Sequence, residues 1–186
     1  MAKRFSSIKV IAHRGYSSER PENTISSFDW SIESGFPYIE LDIHLTADQI
    51  PIVMHDEHVD RTTDGSGAIK EFTLAQIKEL DAGSWFGPKF IGETVPTLEE
   101  VLVRYSGKAH IFVELKSLEE ILINSLRELV TNLGWMPVPL STSDKGDLQV
   151  PGISVISFAP EQVLLSKKIL PELGHGLLLM EPSLGM

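Results

Sequence analysis

Residues 39–56, IELDIHLTADQIPIVMHD, decide the reading of this chain. The first part alternates Ile39, Glu40, Leu41, Asp42 and Ile43, and a strand with period two sets Glu40 and Asp42 on one face and the apolar residues on the other. Residues 51–54 (PIVM) are apolar throughout and run into His55 and Asp56. That pattern predicts a second short strand after a turn, buried on both faces and opening at its C-terminal end onto a site. Two carboxylates on one strand and a His at the end of the next are the parts of a centre that combines a metal with acid/base chemistry.

Working outward, the flanks repeat the theme. Residues 8–12 form a compact apolar run ending in His13, Arg14 and Gly15, which predicts a first buried strand. Asn23 and Thr24 open a helix with Ile25, Phe28 and Ile32 on one face, and Gly35 stands where a left-handed C-terminal cap falls. Thr73–Gln76 and Thr97–Glu100 read as capping boxes, the first opening a short helix to Leu80. The HIFVEL run at 110–115 predicts a strand with Glu114 near its end and Lys116 beyond. Ser117 to Glu120 then reads as the cap of a long amphipathic helix stopped by Gly134. Residues 135–151 read as a loop, 153–158 as a fifth strand, Pro160 as the start of a helix, and 174–180 as a sixth apolar run. Forty residues, 57–96, separate the His55 strand from the next helix. Their turn-rich composition and the Trp85-Phe86 pair predict an ordered insertion within a single domain spanning 1–186.

Strands alternating with amphipathic helices predict an α/β fold with a parallel sheet. Polar residues gather at the ends of successive strands (His13-Arg14, Glu40/Asp42, His55, Glu114/Lys116), as in a (β/α)₈ barrel, whose sites lie at the C-terminal face. A doubly wound sheet is the alternative, with its site at one switch point.

Composition bounds the chemistry. The chain has 186 residues, 42% of them hydrophobic, no Cys, and a formal charge of -10. Absence of Cys excludes disulfides and thiolate metal sites. The negative charge argues against nucleic-acid or anionic-membrane binding. No stretch approaches the ~18 apolar residues of a membrane-spanning helix, and no secretory signal is seen, so a cytoplasmic protein is expected.

Each candidate has a structural alternative. Glu40, Asp42 and Glu114 either bind a hard cation, Mg²⁺ or Ca²⁺, or pair with Arg14 and Lys116. His13 and His55 are either strand-end structural residues or an acid/base pair active near neutrality. Arg14 beside Gly15 is either an anion clamp or an ordinary turn. His44 is expected on a solvated turn beyond the strand end, and His58, His110 and His175 are expected to be structural. Trp85 and Phe86 are expected to pack the long segment.

Taken together, His13-Arg14-Gly15, Pro21-Glu22-Asn23-Thr24, Glu40-x-Asp42, His55-Asp56, Arg61-Thr62-Thr63, residues 80–86 (LDAGSWF), Pro96-Thr97-Leu98-x-Glu100 and Glu114-x-Lys116 occur in that order. In this the chain closely resembles the glycerophosphodiester phosphodiesterase family over roughly residues 8–120, and more weakly from 156 onward. The resemblance implies a TIM barrel with a small insertion after the third strand. It implies a divalent cation, Mg²⁺ or Ca²⁺, on Glu40, Asp42 and Glu114, His13 and His55 as acid/base pair, and Arg14 and Lys116 on the substrate phosphate. The reaction implied is hydrolysis of a glycerophosphodiester to glycerol 3-phosphate and an alcohol, a step of lipid and glycerol metabolism. A lysophospholipid-directed phosphodiesterase and a non-catalytic binding remnant are the alternatives. The partner implied is a small-molecule substrate, with no nucleic acid and no integral membrane segment, and a homo-oligomer is compatible with it. Two features depart from the family: Gln49 stands where Gly is usual, and six strands are expected before Met186 where a closed barrel has eight, so the barrel is expected to be truncated at its C-terminal end.

Overall fold

A computed structural model describes residues 9–135 and 150–180. Six strands form one sheet: β1 Ile11–His13, β2 Tyr38–Leu45, β3 Pro51–Val53, β4 His110–Leu115, β5 Gly152–Ser157 and β6 Gly174–Leu177. β1, β2, β4, β5 and β6 lie side by side in that order, each parallel to the next. Helices α1 Ile25–Glu33, α2 Leu74–Ile77, α3 Leu98–Tyr105, α4 Glu120–Asn132 and α5 Pro160–Ile169, with 3-10 turns at Ile69–Glu71 and Pro88–Phe90, complete the elements of the described residues.

The sheet is organised by the alternation seen in the sequence. Ile39, Leu41, Ile43 and Leu45 of β2 join Ile111, Val113 and Leu115 of β4 in the main core, against Phe28 of α1, Leu98, Val101 and Leu102 of α3, and Leu122 and Leu126 of α4. The opposite face of β2 carries Glu40, Asp42 and His44, so the same period that builds the core sets the polar residues in one column.

β3 departs from the barrel pattern. It pairs antiparallel with β2, Ile43 opposite Val53 and Leu45 opposite Pro51. β2 and β3 are therefore a hairpin, with only five residues (46–50) between them, too few for the crossover a parallel pair requires. The run is apolar for the reason expected, burial on both faces. Val53 enters the main core, while Ile52 and Met54 enter a second cluster with Val59, Ile69, Ile77, Ala82 and Val95.

That second cluster underlies residues 57–96, so the long segment has a core of its own. Asp81 ties it further, its carboxylate accepting from the backbone N–H groups of Gly83, Ser84 and Gly92. Trp85 stacks edge-on against Phe86, and Phe86 against Phe90, which is the packing role expected of them.

Three expected features differ in the structure. β1 is not a buried strand. Val10 and Ile11 are exposed, because β1 is an edge strand among the described residues. Ser117 does not cap α4, which begins at Glu120 with no side-chain cap. The Lys116 N–H still bonds the Ile43 carbonyl, carrying the β ladder past Leu115 and leaving 117–119 as a connection. The helix expected to reach Leu80 closes at Ile77. The loop expected at 135–151 lies mostly outside the described residues; Trp135 itself is buried and donates to the Leu102 carbonyl.

Both Thr capping boxes form as read. Thr97 accepts from the Glu100 N–H, and Glu100 returns to the Thr97 N–H. Thr97→Ala is expected to lower stability by about 1 kcal/mol, measured as a shift in urea midpoint at constant slope; an unchanged midpoint would contradict the cap.

Candidate active site

Strand register assembles the site. Across β1 and β2, His13 lies beside Glu40, and across β2 and β4, Asp42 lies beside Glu114. Glu40, Asp42 and Glu114 each offer an oxygen within 4.8 Å of the others, and all three are buried.

Their counter-charges are fewer than their charges. Lys116 Nζ lies 2.9 Å from Glu114 and 3.5 Å from Asp42. The Arg14 guanidinium donates to Glu22 at 2.9 Å and stands 3.6 Å from Asp42. Glu40 receives the Arg14 backbone N–H at 2.9 Å and has His13 at 3.8 Å. Ion pairing thus accounts for Glu114 and part of Asp42, but not for Glu40. Glu40 Oε1 and Asp42 Oδ1 are buried and accept no hydrogen bond among the described residues. Burial first, and then the Asp42 charge, push the Glu40 carboxyl up to about 8. Three convergent oxygen donors, two of them with unfilled acceptor atoms, form an acidic group that could hold a hard cation.

The backbone around Arg14 is bent to serve this cluster. Arg14 has φ 57 and Gly15 φ 78. The left-handed turn aims the Arg14 N–H at Glu40 while its carbonyl accepts from the Asn23 N–H. A Cβ on Gly15 would stand 2.3 Å from Ser27 Oγ, so only Gly fits between strand and helix there.

Four residues emerge here with parts that the sequence reading did not give them. Asn23, read as a helix opener, has φ 57 and donates from Nδ2 to Asp42 at 2.9 Å; the cap is Thr24 alone. Two consecutive capping residues for one helix were the available signal. Asp56 receives His55 Nδ1 at 2.6 Å. Arg61 donates to both Asp56 oxygens, at 2.7 and 3.1 Å, and to both Glu22 oxygens. Glu22 in turn holds Arg14. A chain of charged hydrogen bonds therefore runs from Arg14 through Glu22, Arg61 and Asp56 to His55. Its Arg61 end holds Asp56 well below the usual carboxylate range, with the His55 bond adding to the effect. Burial opposes, but the Arg61 and Arg14 bonds outweigh it and lower Glu22 as well.

The histidines divide. His13 has a side chain 65% exposed, and partial burial together with the Arg14 charge lowers its pKa. His55 ends the hairpin on the cluster's side, since the Met54 N–H bonds the Asp42 carbonyl at 3.0 Å. His44 is a correction. It is not on a solvated turn but within β2, buried, with Nε2 3.0 Å from the His55 carbonyl oxygen. β2 continues to Leu45 because the hairpin partner extends the ladder that far. His110 lies buried on β4 with Nε2 2.9 Å from Ser154 Oγ, His58 makes an isolated bridge with Ala68, and His175 lies on β6.

Residues 13–173 match the Glycerophosphoryl diester phosphodiesterase family. The chain belongs to this family. A glycerophosphodiester phosphodiesterase of Caldanaerobacter subterraneus is 50% identical over 127 residues, covering 64% of this chain and 52% of the relative. One from Bacillus subtilis is 47% identical over 135 residues, covering 65% of this chain and 46% of the relative. Among solved structures, an Oleispira antarctica phosphodiesterase in complex with the product sn-glycerol-3-phosphate superposes with TM-score 0.77 at 35% identity, over 95% of this chain and 68% of the other. A glycerophosphodiester phosphodiesterase from Agrobacterium tumefaciens gives TM-score 0.76 at 34% identity, over 90% of this chain and 65% of the other. The chain spans about half the length of the curated relatives it matches. The fold class is the TIM barrel, of which the parallel strands β1, β2, β4, β5 and β6 form an arc carrying the acidic cluster. No helix among the described residues is long and apolar enough to cross a membrane.

Proposed function

We propose that this family member hydrolyses glycerophosphodiesters to glycerol 3-phosphate and an alcohol, in a reducing, cytoplasmic setting that suits a chain without Cys. The observation that carries the reading is the buried trio Glu40, Asp42 and Glu114 with unfilled acceptor oxygens beside His13 and two cations, with His55 one residue past the Met54 N–H that bonds the Asp42 carbonyl.

In this reading Glu40, Asp42 and Glu114 hold a divalent cation, Mg²⁺ or Ca²⁺. When bound, the cation supplies positive charge against the phosphoryl oxygens. Arg14 and Lys116 bind and orient the phosphate, Arg14 through a planar fork and Lys116 as a point charge. Hydrolysis forms a new P–O bond and breaks the bond to the alcohol. His13 and His55 share the proton work, one taking the nucleophile's proton and the other giving one to the departing alkoxide. Asp56, fixed by Arg61, fixes the His55 ring through Nδ1 and leaves Nε2 for that transfer. Glu22 joins the Arg14 and Arg61 guanidinium groups, so the phosphate clamp and the His55 support are one network. Residues 57–96 form an insertion within the single domain and supply Arg61 to it.

The test is release of glycerol 3-phosphate from glycerophosphocholine by this chain, with Mg²⁺ or Ca²⁺ and then with chelator. Metal-dependent release is expected. Binding of the substrate without release in any metal would replace the enzymatic reading with the binding-remnant one.

A further inference from the structure

We propose that His44 is a positioning residue for His55, a role that rests on the reading of His55 as an acid/base group. The alternation Glu40-x-Asp42-x-His44 places the three on one face of β2. The hairpin ladder explains why His44 matters. The Met54 N–H to the Asp42 carbonyl is the last backbone bond joining the returning arm to β2 on that side. One residue further along that arm, the His55 carbonyl oxygen is met by the His44 ring at 3.0 Å. A carbonyl oxygen only accepts, so His44 Nε2 carries the proton and donates. His55 is thereby held at two ends, its main chain by His44 and its ring by Asp56 at 2.6 Å.

Packing alone does not hold this segment. His44, Glu57, His58 and Ser117 border a cavity of about 600 Å³. Glu57 and His58, the two residues after Asp56, therefore have open space on one side, and a side chain with nothing against it is not fixed by close packing. The His44 bond adds a constraint at the His55 main chain, ahead of the bonds that tie Glu57 to Ile69 and His58 to Ala68. His44 itself is buried and rigidly placed by β2, so it transmits the position of the strand that carries Glu40 and Asp42 to the histidine that works beside them.

Two variants and one spectrum test this. His44→Leu removes the donor at similar volume, and His44→Gln keeps an amide N–H at comparable reach. With glycerophosphocholine as substrate, His44→Leu is expected to lower kcat by roughly 10- to 100-fold with little change in KM, because a slight misplacement of a reacting group acts on the chemical step. His44→Gln is expected to recover most of the loss. Equal kcat in wild type and His44→Leu, where His55→Ala is inactive, overturns the positioning role alone. Turnover that survives His55→Ala overturns the reading of His55 and the positioning role with it. Independently of turnover, and of whether the variants fold, long-range ¹H–¹⁵N spectra of the wild-type chain are expected to show His44 as the neutral Nε2–H tautomer. The Nδ1–H tautomer would remove the bond and the proposal.

Discussion

Replacing His55 by Ala is expected to lower turnover of glycerophosphocholine by ~10²-fold or more, the usual contribution of a positioned proton donor or acceptor. The geometry makes His55 the more constrained of the two histidines. Its ring is 2.6 Å from Asp56, and Asp56 is gripped by Arg61. A ring fixed by a carboxylate at Nδ1 presents Nε2 in one orientation. His13→Ala is expected to cost a comparable factor, since it removes the other half of the proton traffic beside Glu40. The measurement is steady-state release of glycerol 3-phosphate at saturating cation, with circular dichroism to verify that each variant folds. Near-normal turnover in either variant would sink the acid/base assignment. The two are expected to differ in sensitivity to their surroundings. Arg61→Leu is expected to strip the support from Asp56 and so to reduce activity through His55, whereas His13, largely exposed, has no such chain behind it among the described residues.

How much of this was legible in the sequence follows from which interactions are local. The column Glu40, Asp42 is written by a period of two, and the capping boxes by a spacing of three, so both could be read directly. The site residues could also be grouped, because each ends or follows an apolar run. What sequence spacing does not carry is the direction in which a strand pairs. A short apolar run looks the same parallel or antiparallel, so the hairpin of β2 and β3 was read as one more barrel strand. His44, expected on a turn past the strand end, is buried within β2 because the hairpin extends the ladder to Leu45, and its ring meets the His55 carbonyl. Asn23 was hidden for a different reason. Its side chain suits a helix cap so well that its part in holding Asp42, nineteen positions away in sequence, left no local sign. The Glu22–Arg61 bond, spanning 39 positions, is a tertiary contact of the same kind.

The second large effect concerns Glu40 and the cation. Glu40 is buried next to Asp42, and its carboxyl rises from an ordinary value of 4.5 to about 8. In the cation-free protein the folded state therefore keeps a proton on Glu40 over an interval where the unfolded chain has released it. Stability falls with rising pH wherever the folded state binds more protons. The Glu40 contribution is thus expected to be full below about pH 4.5 and to be lost as pH rises towards 8, a decline that Glu40→Gln should flatten in chelator. Binding a divalent cation needs the carboxylates deprotonated, so added Mg²⁺ or Ca²⁺ competes with that proton and its stabilisation grows over the same interval. At a cation concentration a hundredfold above Kd the gain is about 2.7 kcal/mol. For a chain of this size that is a rise in melting temperature of roughly 5–10 °C. Melting curves from pH 5 to 8, with cation and with chelator, for the wild type and Glu40→Gln, measure it. The wild-type curves should separate most at the alkaline end and those of Glu40→Gln little at any pH. Wild-type curves that coincide with and without cation across that range would show that the three carboxylates are neutralised by Lys116, Arg14 and a shared proton instead.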